Sequence, residues 1–166
     1  EEDHHCNLLL RSERERAQHA ALRDADRAAR KRRIARYELL RHQVVGAIDE
    51  ALLRVLGDGS RHPGARLYSE SAGTLIDRLS LLAIEIHHVR NGARSPTPSA
   101  SLTPAGRAKL VLLVEQRMEV ARALDELVAG AVLHILYFKA YQPQLERHPG
   151  RPAAPAKPGT RTMIAG

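Results

Sequence analysis

Apolar residues recur every three or four positions along four stretches of the chain, which is the spacing of one face of an amphipathic α-helix. The stretches run over about Asp3–Leu22, Asp24–Leu56 and Thr74–Arg90, and from Thr103 to the residue before Pro143. The second and fourth are long, and turn-forming or Pro- and Ser-rich residues separate the later ones. The pattern predicts an all-α fold, an antiparallel four-helix bundle-like domain with long second and fourth helices.

Two of the predicted helices carry start signals. Thr103 is followed by Pro104, the combination of an N-cap residue with proline at the first helical position. Thr74 is followed three residues later by Asp77, which fits a capping box. We therefore expect the third helix to begin at Thr74 and the fourth at Thr103.

The length and composition are those of one globular domain with a tail. The chain has 166 residues, of which 43% are hydrophobic but only 3% aromatic, so the core must be aliphatic. From Arg147 onward Pro, Ala, Gly and Arg dominate, which predicts an irregular segment. The expected organisation is a helical domain over residues 1–145 and a tail over residues 146–166.

Cysteine content, hydropathy and charge narrow the setting and the partners. The single cysteine, Cys6, excludes an intramolecular disulfide, and no apolar run approaches the roughly 18–20 residues of a membrane span. Both observations favour a cytoplasmic protein without a membrane partner. The net charge is +7, but the densest basic run, residues 27–36, spreads around its helix and few aromatics accompany it. Nucleic acid is therefore not an expected partner.

Ionisable residues interrupt the apolar stripes of all four predicted helices. They are Glu13, Arg41, Arg78, Glu85, His88 and Arg117. Arg41, for example, lies one heptad after Ile34 and one heptad before Ile48. An unpaired buried charge costs several kcal/mol, so these groups must form ion pairs, contact a ligand or reach water. One interpretation is structural: the ion pairs fix helix register, and long arginine stems carry their charged ends to solvent.

The other interpretation is a polar pocket that binds a small anionic metabolite. In it Arg41, Arg78 and Arg117, with Glu13 beside them, bind a carboxylate or phosphate by bidentate hydrogen bonds.

Three further residues are candidates for acid–base catalysis in such a pocket. They are Asp77, Glu85 and His88. Glu85 precedes His88 by three residues on a helix and is placed to orient its ring.

A metal site is a weaker alternative. Glu85 and His88 spell Glu-x-x-His, as do Glu2 and His5, and di-iron bundles use two such pairs with two further glutamates. Glu13 and Glu115 or Glu119 are available as those glutamates. Because one pair lies at the chain start and the order of the motifs differs from that of the di-iron bundles, we predict no metal and no organic cofactor.

Three segments resemble the bacterial domain-of-unknown-function family 4254. Residues 71–88 carry a Gly-Thr-Leu-Ile-Asp-Arg-Leu-Ser run before an apolar helix that ends in His-His. Residues 33–49 carry an interior Arg and a later Ile-Asp. Residues 115–141 carry Gln-Arg, Leu-Asp-Glu-Leu and Lys-Ala-Tyr motifs. The resemblance covers roughly His4 to Leu145. The family-like positions are Asp77, Arg78, His88, Arg41, Asp49, Gln116, Arg117, Lys139 and Tyr141.

The chain also departs from the family pattern. It has no Trp in its first helix, and it carries His87 where Tyr is usual, Glu85 where Lys is usual and Gln142-Pro143 where Asn-Asp is usual. The resemblance implies a helical fold and a polar site whose ligand differs from that of its relatives, or no ligand at all.

Two functions remain open at this stage. The leading hypothesis is a helical domain that binds a small anionic metabolite and transforms it by non-redox acid–base chemistry, as a cofactor-independent lyase, hydrolase, isomerase or cyclase would. The alternative is a non-catalytic, homodimeric interaction module in which the same charges form structural ion pairs.

Overall fold

The computed structural model describes residues 1–19, 24–57, 62–92 and 103–140. The elements in chain order are α1 (Glu2–His19), α2 (Asp24–Leu56), β1 (Arg66–Leu67), α3 (Ala72–Gly92), α4 (Pro104–Val132) and β2 (Leu136–Tyr137). The predicted all-α fold with long second and fourth helices is confirmed. The predicted tail and Tyr141 lie outside the described residues.

Helix α3 is the central element of the packing. It contacts α1, α2 and α4, while α1 packs along α2, and α4 packs against α3 and β2. The main hydrophobic cluster joins α3 to α4 and to the segment around β2, with the end of α2 packed against it. Its buried members are Ala72, Leu75, Val120, Leu127, Leu136 and Phe138. This arrangement leaves a concave surface in front of α3, with α1 on one side and α4 on the other.

The start of α3 differs from the predicted capping box. The Ser71 hydroxyl accepts a hydrogen bond from the backbone N–H of Thr74 at 3.2 Å, so the helix begins at Ala72. The carboxylate of Asp77 is turned into the interior, where it accepts hydrogen bonds from Arg41 of α2. The Thr74–Asp77 capping prediction is wrong because Ser71 caps the helix and a buried arginine binds Asp77.

The start of α4 is confirmed and its end is not. Thr103 Oγ1 accepts a hydrogen bond from the Gly106 backbone N–H at 3.1 Å. The helix ends at Val132, and His134 then adopts a left-handed backbone with φ 56°. The chain turns back, so that β2 pairs with β1 in parallel and buries Leu136 beside the end of α4. The prediction of one helix up to Pro143 is therefore wrong.

A close approach between α2 and α3 fixes the position of the site. The backbone N–H of Gly73 donates to Asp49 Oδ1 at 2.6 Å. A Cβ atom on Gly73 would overlap the Val45 carbonyl oxygen. Because Arg41, Val45 and Asp49 follow at four-residue spacing on α2, this contact also turns Arg41 towards α3.

None of the described helices combines the length with the apolar character that a membrane span requires.

Candidate functional site

A buried polar cluster joins α1, α2 and α3 through Asp77. Arg41 Nε donates to Asp77 Oδ1 at 2.7 Å, and Arg41 Nη2 donates to Asp77 Oδ2. Asn7 Nδ2 donates to the same Oδ1 at 3.0 Å and to Ser80 Oγ at 3.1 Å. We call Asp3, Asn7, Arg41, Asp77 and Ser80 the Asp77 cluster. It explains how α1 is held against α3, since Asn7 is only 1% exposed.

Two carboxyl groups in this cluster, those of Asp3 and Asp77, lie near one guanidinium, and Arg41 is hydrogen-bonded to that of Asp77. Burial would raise the pKa of Asp77, but hydrogen bonds from Arg41 and Asn7 outweigh it and hold that pKa below its usual value. Burial, together with repulsion from Asp77, raises the pKa of Asp3 to about 6. Below about pH 6 the cluster therefore holds one ionised and one protonated carboxyl group beside the single positive charge of Arg41, whereas at neutral pH Asp3 is mostly ionised as well.

Two oxygen atoms of the cluster are buried without a hydrogen-bond partner. They are Asp3 Oδ1 and Asn7 Oδ1. A protonated carboxyl group is a hydrogen-bond donor, whereas a carboxylate only accepts. Protonation of Asp3 therefore supplies a donor to a site that otherwise has an excess of acceptors.

Sequence reasoning missed Asp3 and Asn7, although a signal was present. Asp3, Asn7 and Leu10 follow at spacings of four and three, and all three are buried. Extension of the stripe that contains Leu10 towards the chain start would have placed both polar residues on the inward face.

A cavity of about 850 Å³ lies above the Asp77 cluster, with residues of all four helices in its lining. Asn7 and Arg41 belong to both the cluster and the cavity wall. The floor is apolar. It is formed by Leu10, Leu81, Leu82, Ile84 and Leu113.

The cavity wall is rich in arginine. It contains four arginines (Arg11, Arg14, Arg16, Arg41), two glutamates (Glu15, Glu85) and His88. Each of the four arginines is also paired with a carboxylate: Arg11 with Glu15 and Glu85, Arg14 with Glu38, Arg16 with Glu13 and Arg41 with Asp77. The lining therefore gathers guanidinium N–H donors, the groups that bind carboxylates and phosphates, around the apolar floor.

Glu85 is engaged with cations of α1 and α4. Its carboxylate accepts a hydrogen bond from Lys109 Nζ at 2.6 Å and another from Arg11 Nη1. Both hydrogen bonds lower the pKa of Glu85, to about 2, and the bond from Lys109 has the larger effect. Glu85 is therefore ionised at neutral pH.

Of the predicted site residues, Arg41, Glu85 and His88 lie together in the cavity wall. The expectation that Glu85 orients His88 is wrong, because Glu85 is bound by Arg11 and Lys109. His88 Nδ1 lies 3.7 Å from Glu15 Oε1 instead, and its side chain is 54% exposed.

Arg78 and Arg117 were predicted to lie in the interior, but both are exposed. Arg78 Nη1 donates to Glu70 at 2.8 Å. The main helical neighbour of α4 is α3, so only a narrow stripe of α4 is buried and Arg117 lies beside it. The three predicted arginines therefore do not converge on one point.

Glu13 is buried as predicted, but it does not line the cavity. It forms ion pairs with Arg33 at 3.2 Å, Arg16 at 3.5 Å and Arg30 at 3.7 Å. Arg30 and Arg33 belong to α2, so this network ties α1 to α2.

The described parts of the chain bring no three His, Cys, Asp or Glu side chains into a group that fits a metal ion. The two Glu-x-x-His pairs therefore find no support as a di-iron site.

The family model described as "Protein of unknown function (DUF4254)" matches residues 1–140. The chain belongs to the DUF4254 family. This confirms the resemblance carried by residues 33–49, 71–88 and 115–141. No curated protein and no solved structure matches the chain. Membership does not assign an activity, so function has to be argued from the site itself.

The family-like residues Arg41, Asp49 and Asp77 meet where α2 packs against α3. They place the Asp77 cluster within the part of the chain that the family model matches.

Proposed function

We propose that this DUF4254 protein binds a small organic anion in the cavity between α1 and α3. The observation that carries the proposal is the cavity lining, four arginines and two glutamates around a floor of leucine and isoleucine. Guanidinium groups bind carboxylates and phosphates through paired N–H donors, and an apolar floor favours an organic body on that anion.

Arg41 is the arginine that the fold positions most firmly. Its Nε and Nη2 atoms are used by Asp77, so Nη1 is not used by this pair. Because Asp77 is 5% exposed and lies behind Arg41, it acts as a positioning residue in this proposal. Arg14, with its side chain 55% exposed, lies on the more open part of the wall.

The charge states favour binding over a reaction that needs several acid–base groups. Glu85 has a pKa of about 2 and does not donate a proton at neutral pH, and Asp77 is ionised and bound by Arg41. His88 is the remaining predicted acid–base candidate in the cavity wall. If the protein transforms its ligand, we propose non-redox chemistry with His88 as the proton-transfer group.

A thermal-unfolding screen with benzoate, octanoate and inorganic phosphate tests the binding proposal. A ligand present at about 100 times its dissociation constant stabilises the folded state by about 2.7 kcal/mol. We expect at least one of these anions to raise the melting temperature of the wild type and of Arg117→Met, which changes an exposed arginine outside the cavity. Arg14→Met should reduce the shift. Equal shifts in both variants, or none in the wild type, would contradict the proposal.

A second function, self-association, is favoured by the outer face of α4. Val111, Met118 and Val132 are more than half exposed and lie on one stripe opposite the face that packs on α3, at spacings of seven and fourteen residues, with exposed Asp125 between the last two. Glu115 and Arg122 flank Met118 on the same stripe. In a pair of antiparallel copies related by a two-fold axis near Met118, each Glu115 would face Arg122 of the other copy.

Sedimentation equilibrium tests this homodimer. We expect the wild type to dimerise and Met118→Glu to be monomeric with unchanged helix content by circular dichroism, whereas Ala108→Glu near the end of the stripe should weaken the dimer less. A wild type that stays monomeric at the highest soluble concentration would exclude the dimer without affecting the anion site.

A further inference from the structure

A second groove lies between α3 and α4. It encloses about 550 Å³ and has an apolar base formed by Leu75, Leu81, Leu82, Val120 and Ala123. Its polar rim consists of Arg78, Gln116 and Glu119. The groove therefore has one arginine in its lining, Arg78, which is bound by Glu70, whereas the cavity in front of α1 has four.

The two spaces adjoin along the front of α3. Leu81 and Leu82 line both the arginine-rich cavity and the α3–α4 groove. Leu81 is 37% exposed, so its side chain offers apolar surface to both spaces. Together the spaces form a continuous surface with four guanidinium groups at one end and an apolar base at the other.

We propose that the ligand is an amphiphilic anion, an acid with an extended apolar chain. Its anionic group binds among Arg11, Arg14 and Arg41, and its chain crosses Leu81 and Leu82 into the α3–α4 groove. This inference rests on the proposed anion site and adds the ligand class. The apolar surface that continues from the guanidinium groups across Leu81 and Leu82 carries it, because a fully polar anion would make no contact with that surface.

A titration series of unbranched carboxylates tests the chain-length dependence. Butyrate, hexanoate, octanoate and decanoate are titrated into the protein by calorimetry, below the concentrations at which they form micelles. Each buried methylene should tighten binding about 4-fold, which corresponds to about 0.8 kcal/mol. Decyltrimethylammonium, with a chain of similar length and the opposite charge, should not bind at the same concentrations.

Two substitutions locate the chain. Ala123→Phe fills the base of the α3–α4 groove, and Gln116→Trp covers it from an exposed position that does not depend on core packing. Both should abolish the gain from octanoate to decanoate and leave butyrate binding unchanged. Ala129→Trp, an exposed α4 control outside the groove, should behave as the wild type does.

The outcomes separate this inference from the anion site. Equal binding of butyrate and decanoate, or a chain-length gain that survives Gln116→Trp, would overturn the amphiphile proposal while the anion site stands. Absence of binding by every carboxylate would overturn the anion site as well.

Discussion

Asp77 and Glu85 are eight residues apart on the same helix, and each is bound by an arginine from another helix. Asp77 is 5% exposed and receives both N–H groups of the Arg41 fork, with Asn7 as a third donor. The Glu85 side chain is 29% exposed and is shared by Arg11 and Lys109. A carboxylate bound by an arginine thus forms a buried contact between helices at Asp77 and part of the cavity wall at Glu85.

The difference shows what burial does to an ion pair. Around Asp77, removal of one partner leaves an uncompensated charge in the interior, so the pair determines where Arg41 points. Around Glu85, water and a second cation replace whatever is lost. We therefore assign Asp77 to positioning and the Glu85 region to ligand contact.

The largest expected effect tests this contrast directly. Asp77→Asn removes the charge that compensates buried Arg41 and should lower the free energy of unfolding by about 3 kcal/mol. Glu85→Gln should lower it by about 1 kcal/mol or less. Urea denaturation at pH 7 measures both. Equal losses of free energy of unfolding would mean that burial does not make the Asp77 pair contribute more to stability than the Glu85 pairs.

The next largest effect on stability is expected where α2 and α3 approach closely at Gly73. Gly73→Ala places a Cβ against the Val45 carbonyl oxygen and 2.9 Å from Asp49 Oδ1, so it should destabilise by about 2 kcal/mol. Gly46→Ala on α2 is the matched control, since a Cβ there meets nothing within 4 Å. That variant should gain about 0.5–1 kcal/mol from helix propensity. Similar melting temperatures for the two variants would contradict the close approach.

The pH dependence of stability tests the buried cluster further, through Asp3. Its pKa is raised to about 6 from 3.8, so between these values the folded state binds more protons than the unfolded state. Stability from this group is present below about pH 4 and is lost as pH rises through about 6. Asp3→Asn should therefore stabilise the protein at pH 7.5, on the order of 1 kcal/mol, and have little effect at pH 4. Denaturation curves at both pH values measure this, and a loss at pH 7.5 would contradict it.

Glu85 should show the opposite pH dependence with the smallest effect. Its pKa is lowered to about 2 from 4.5, so its contribution is present above pH 4.5 and is lost as pH falls towards 2. The difference in stability between wild type and Glu85→Gln, about 1 kcal/mol or less at pH 6, should shrink at pH 3. A difference that grows in acid would exclude the ion pairs with Arg11 and Lys109.

The local patterns predicted most of the helices. The apolar stripe and the turn after Leu56 placed α2 at its observed bounds, and Thr103 with Pro104 placed the start of α4. They did not predict the β1–β2 pair, because two-residue strands about 70 residues apart carry no periodic signal. The end of α4 was missed because Ile135 and Phe138 continue the apolar helix spacing beyond Val132.

The site was predicted only in part. Periodicity identified Arg41 because heptad spacing from Ile34 and Ile48 fixes its face of α2. It misplaced Arg78 and Arg117 because helix spacing does not reveal how much of a helix its neighbours cover, and α4 packs mainly on α3. Asp3 and Asn7 were missed because polar residues at the start of a chain usually face solvent.

The most direct test of the central claim observes the arginines themselves. In a ¹⁵N-arginine NMR titration with octanoate, the Nε–Hε signals of Arg11, Arg14 and Arg41 should shift together with one dissociation constant. The signals of Arg90 and Arg117, which are exposed elsewhere, should remain in place. Shifts of all arginines alike, or of none, would contradict an anion site in the cavity between α1 and α3.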